Sequence, residues 1–155
     1  SIMERTPASA DAPASPHPWL RSPEAFADFV SRWEGGALPR AEWTHAAHVA
    51  IGACYVTRYR DGAVDALRTG IRRHNAAVGT ADTETSGYHE TLTRFWAEAV
   101  AREIAGVRDE FEAARRAVAR FGNDRTLPAR FYSFDVVQDR RARATWVPPD
   151  LAGPE

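Results

Sequence analysis

The chain has 155 residues, 44% of them hydrophobic and 26% charged, with a net charge of −1. That length suits one domain with a sizeable core, and the even charge balance excludes a global basic field for nucleic acid or an anionic membrane. A single Cys excludes an internal disulfide and any Cys-based zinc cluster.

Residues 1–21 are rich in Ala, Pro and Ser and are expected to form a disordered leader. His17 lies between two prolines there and is left out of any site. No apolar run reaches the length of a membrane span, and the start lacks the basic-then-apolar pattern of a signal peptide, so a cytoplasmic protein is expected. Lys is absent, and all 20 basic residues are Arg. In a chain also heavy in Ala, that reads as GC-rich coding bias rather than chemistry.

Ser22-Pro23-Glu24 supplies a cap, a first-turn proline and an acidic first turn for a helix to about Glu34. Phe26, Phe29, Val30 and Trp33 are its stripe, and Gly35-Gly36 ends it. A second helix is expected over about 40–59, apolar nearly all round from Val49 to Val56 and therefore buried. Cys54 falls within it as a small buried thiol. Asp61 caps a third, about 62–77, with Val64, Leu67, Ile71 and His74 facing inward.

Residues 79–87 are a polar loop, longer than most connections in a helical domain. Ser86 or Gly87 then opens a fourth helix, about 88–105, and a fifth spans about 107–121. Phe131, Tyr132 and Phe134 mark a turn packed on the bundle, and Ser133 caps a short helix over 134–142. No segment alternates as a strand would. The fold class is all-α: a single-domain bundle of about five helices plus short C-terminal helices, with the helical domain over 22–150 and a tail over 151–155.

The chemistry concentrates in Glu42-Trp43-Thr44-His45-Ala46-Ala47-His48. On a helix, Glu42, His45 and His48 recur at i, i+3 and i+6, on one side and about 4.5 Å apart in rise. A carboxylate and two imidazoles in that array are donors for a divalent transition metal, Zn, Fe or Mn. His89, from the fourth helix, completes the expected set of His45, His48, His89 and Glu42, because bundles build metal centres between helices. Glu42 also serves as a candidate general base, and Glu90 as the spare carboxylate for acid–base work. Tyr88, His74 and Arg130 are candidates for holding substrate. Only one Glu-x-x-His stands on a suitable helix, which argues against a di-iron centre.

Three segments together, 42–48, Asn75-Ala76-Ala77 and Gly87-Tyr88-His89-Glu90-Thr91, resemble a family of small bacterial proteins. Its members carry a Trp-Thr-His-x-x-His segment followed by Gly-Tyr-His-Glu-Thr. Phe131-Tyr132-Ser133 and Trp146-Val147-Pro148-Pro149-Asp150 resemble that family's C-terminus. The resemblance spans about residues 22–150, implies no activity, and directs attention to His45, His48 and His89. Where members carry a further His, this chain has Val78.

The leading expectation is a metal-dependent enzyme acting on a small molecule, by hydrolysis, hydration or lyase chemistry ahead of non-heme iron oxidation. The alternative is a metal-free binding module with a His-lined pocket, and a third reading makes the histidines structural. The expected partner is a small-molecule substrate, with neither nucleic acid nor membrane; a homodimer is compatible with the sequence.

Overall fold

The computed structural model describes residues 15–152, and none of them is in a strand. Ser22 starts the first helix, α1 (Pro23–Glu34), by accepting the Ala25 N–H at 3.0 Å. Phe26, Phe29, Val30 and Trp33 form its buried stripe. Thr44 starts α2 (His45–Tyr59) in the same way, accepting from the Ala47 N–H. Every residue of α2 from Val49 to Tyr55 is buried. The reason is position: α2 is the central helix, packed by three others.

Those three are α3 (Ala63–Val78), α4 (Glu90–Glu103) and α5 (Glu110–Phe121). Helix α3 comes close to α1 because Gly70 has no side chain. A Cβ there would stand 2.6 Å from the Trp33 ring. A five-residue helix, α6 (Arg140–Ala144), lies against α4. Short 3-10 turns at Pro18–Leu20, Arg40–Glu42, Arg60–Gly62 and Leu127–Arg130 fill the connections.

The architecture is all-α, and the departures from expectation lie at element ends. The leader expected over 1–21 reaches too far: residues 1–14 lie outside the described part, but Leu20 is 3% exposed and Trp19 stacks on Phe29. Helix α2 starts at His45 rather than near 40, because Thr44 captures the first free N–H. Asp61 sits inside a 3-10 turn and does not cap α3. Helix α4 starts at Glu90 and is capped by His89, not by Ser86 or Gly87. Asp109 delays the start of α5 to Glu110. Near the C-terminus Asp139 caps α6, while Ser133 binds Asp150 through both its N–H and its hydroxyl. Of the expected tail, Leu151 donates its N–H to Phe131 at 3.0 Å, and 153–155 lie outside the described residues. No helix of the described residues is long and apolar enough to cross a membrane.

Candidate functional site

Beside α2 the packing leaves a cavity of about 540 Å³, walled by α2, α3, α4 and the loop into α4. Sites for small molecules commonly have that size. Its apolar lining includes Trp43, Val49, Leu67, Ile71, Leu92 and Trp96. Gly52 opens it: a Cβ on this mid-helix residue would meet no atom within 4 Å. A glycine in a helix interior costs stability relative to alanine, and here it leaves room where a side chain would fill the space.

His45, His48 and His89 all line this cavity. Each ring is oriented by a backbone carbonyl. His48 lies under Trp43, ring centroids 3.7 Å apart, and its Nδ1–H donates to the Thr44 carbonyl at 2.8 Å. The Nε2 lone pair of His48 is therefore left free. His45 donates through Nε2 to the Phe121 carbonyl at 3.0 Å and sets its edge against Trp96, which leaves its Nδ1 as an acceptor. His89 is spent on both sides: Nδ1 accepts the Leu92 N–H at 3.1 Å, and Nε2 donates to the Val136 carbonyl at 2.9 Å. The carbonyl and N–H partners dictate these tautomers.

Burial disfavours the charged form of all three imidazoles. His48 is pushed lowest, to about 4, by the depth of its position and then by the nearby His45, His74 and Arg125. Although protein surrounds it, the ring is open to water through the cavity. Burial also lowers His45 and His89, against the opposing pull of the Phe121 and Val136 carbonyls. At pH 7 the cavity therefore holds neutral imidazoles.

The other candidates stand elsewhere. Glu42 belongs to the 3-10 turn before α2, so the helical array that would align it with His45 and His48 does not form. Its carboxylate lies 3.7 Å from Arg32 and lines a neighbouring surface groove that shares Thr44 and His45 with the cavity. Glu90 stays outside the cavity lining, gripped by Arg68 through two hydrogen bonds of 2.9 and 2.7 Å and by the Tyr88 hydroxyl at 2.8 Å. Arg68 holds the Glu90 carboxyl below its ordinary value, so it is an ionised structural partner rather than a free base. Tyr88 does line the cavity, with its hydroxyl committed to Glu90.

His74 is fully buried behind Trp43 and donates through Nε2 to the Leu38 carbonyl at 2.8 Å. It is not part of the cavity lining. Arg130 is exposed, 3.6 Å from Asp124, and also stands apart.

The expected metal ligands do not fit a metal as they are arranged. Among the described residues no three His, Cys, Asp or Glu side chains gather closely enough to hold an ion. His89 has no lone pair to offer, and Glu42 does not line the cavity that holds the three histidines.

What motif reading passes over is the charge around the cavity. Arg40, Arg125 and Arg143 line it, and no Asp or Glu does. Arg40 donates to the Val78 carbonyl and Arg143 to the Gly87 carbonyl, both at 2.9 Å. Asn75, 7% exposed, adds an amide that makes no hydrogen bond among the described residues. Fold and site together define an all-α domain with a cavity beside its central helix that is rich in imidazole and guanidinium. No family model, curated protein or solved structure matches the chain.

Proposed function

We propose that this protein binds a small organic molecule in the cavity beside α2, without a metal. One observation carries the reading: a cavity of about 540 Å³ combines apolar and aromatic walls with a few convergent polar groups that the fold leaves unspent. Those groups are the free Nε2 of His48, the Nδ1 of His45 and the Asn75 amide. Neutral imidazole lone pairs accept hydrogen bonds from ligand hydroxyl or N–H groups, and Trp43 and Trp96 offer flat contact area.

The test is a thermal-shift screen of small molecules in the presence and absence of EDTA, with metal content measured in parallel. Hits are expected to raise Tm equally in both conditions, since a ligand that binds only the folded state stabilises it. Stabilisation that disappears with EDTA and returns with Zn, Mn or Fe(II) would show that a metal holds the ligand.

A second reading, turnover of the bound molecule, is favoured by His48 itself. A neutral, cavity-facing imidazole with one nitrogen anchored and the other free has the arrangement of a general base. His48→Gln keeps a polar group of similar reach and removes the base. Binding retained with conversion abolished would support turnover; conversion unchanged in the variant would end that reading.

A further inference from the structure

The cavity carries an electrostatic imbalance that its hydrogen bonds do not resolve. Arg40, Arg125 and Arg143 contribute three guanidinium groups, and no carboxylate lines the same space. None of the three pairs with an acid among the described residues. The acids whose charges act on His45 and His89 are already engaged. Asp124 pairs with Arg130, and Asp139 caps α6 by accepting the Ala142 N–H.

Arg143 is the most constrained of the three. It is half-buried, one Nη anchors to the Gly87 carbonyl, and its Nε–H is buried with no acceptor. That Nε is enclosed by protein, so it is the remainder of the half-buried guanidinium that lines the cavity. Arg40 and Arg125 are exposed and mark the rim. Like charges lining a concave, low-dielectric space focus a field that attracts anions and repels cations. A dication gains nothing here. A neutral ligand would leave the imbalance in place.

We infer that the ligand is an organic acid, its carboxylate set against Arg143 with Arg40 and Arg125 at the rim and its apolar, ring-sized body against Trp43 and Trp96. A carboxylate is matched to a guanidinium fork by geometry as well as charge. This inference rests on the reading of the cavity as a ligand site, and the test separates the two.

Three probes share one body and differ in the head group: 2-naphthoate, 2-naphthamide and 2-naphthylmethylamine. Each is titrated calorimetrically into the full chain at pH 7.5. The acid is expected to bind at least about tenfold tighter than the amide, the scale of one charge-assisted hydrogen bond, and the amine weakest of all. Arg143→Met and Arg125→Met are each expected to narrow the gap between acid and amide by weakening the acid more than the amide. Arg143→Lys, which keeps charge without the fork, should retain part of the preference. Arg125 sits on the exposed rim, so its variant decides the matter even if loss of the Arg143 anchor unfolds the loop. Equal binding of acid and amide, or tightest binding of the amine, overturns the inference and leaves the ligand site standing. Failure of all three probes to bind overturns both.

Discussion

The two flanks of α2 solve opposite problems with the same kinds of residue. On one flank Arg58 reaches Glu110 through bonds of 2.9 and 3.0 Å and Glu34 at 3.3 Å, while Tyr55 donates to Glu34 at 2.5 Å. Cys54 donates its thiol to Glu110, and burial raises that thiol far above its ordinary value. Every charge there has an opposite charge, and the network ties α1, α2 and α5 together. On the other flank, three arginines and two free imidazole nitrogens surround an open space with no acid among its lining. Polar groups that a fold satisfies internally stabilise it. Groups it positions and leaves unsatisfied are available to something else.

The strongest way to break this contrast is to fill the open flank. Gly52→Leu places a side chain into the cavity from the middle of α2, where nothing opposes it. Affinity for 2-naphthoate is expected to fall on the order of a hundredfold, because a close-packed wall replaces the space the ligand needs. Circular dichroism should show the fold retained. Unchanged affinity would place the ligand elsewhere.

Next comes pH, which acts on the open flank through its imidazoles and on the closed flank through Glu110, whose carboxyl Arg58 holds below its ordinary value. His48, His45 and His89 are all held below the ordinary imidazole value. Between about pH 6.5 and about 4 the unfolded chain therefore binds more protons than the folded one. Stability is complete above the upper end of that window and declines as pH falls through it. His48→Gln removes the group pushed lowest, so its urea midpoint should fall less than wild type between pH 7 and 4.5. Parallel declines in the two proteins would remove His48 from the account. A bound carboxylate favours the protonated ring and is expected to make the wild-type decline shallower.

How much of this was readable beforehand differs by element. The five longer helices were readable because burial of a periodic stripe makes a helix, and Phe26, Phe29, Val30 and Trp33 announce one. Their ends were harder, since an end is decided by one hydrogen bond. Thr44 caps α2 and strands Glu42 outside it; the capping threonine is visible in the sequence, and it overrides the spacing of Glu42, His45 and His48. His89 as a cap carried no such signal, because histidine is not a favoured residue there. Arg40, Arg125 and Arg143 were invisible as a group. They come from three separate connections or short elements, and in a chain whose 20 basic residues are all Arg no one of them stands out.

On the closed flank, Arg58→Met removes the shared partner of Glu34 and Glu110. All three side chains keep about a third of their surface in water, so the loss is screened and is expected to be about 1 kcal/mol in chemical denaturation. Affinity for 2-naphthoate should not change. A weaker binder at equal occupancy of the folded state would mean that the two flanks are coupled through α2.

The smallest effect separates space from shape. Gly52→Ala adds one methyl group that meets no atom within 4 Å. In a helix interior this substitution lowers the entropy lost on folding and is worth about 0.5 kcal/mol or somewhat more. The variant should therefore melt slightly above wild type while binding 2-naphthoate more weakly, since the methyl occupies part of the cavity. Gain of stability with loss of affinity at one atom is what a helix kept open for a ligand requires. If stability and affinity rise together, the space beside Gly52 is a packing defect that the ligand merely avoids.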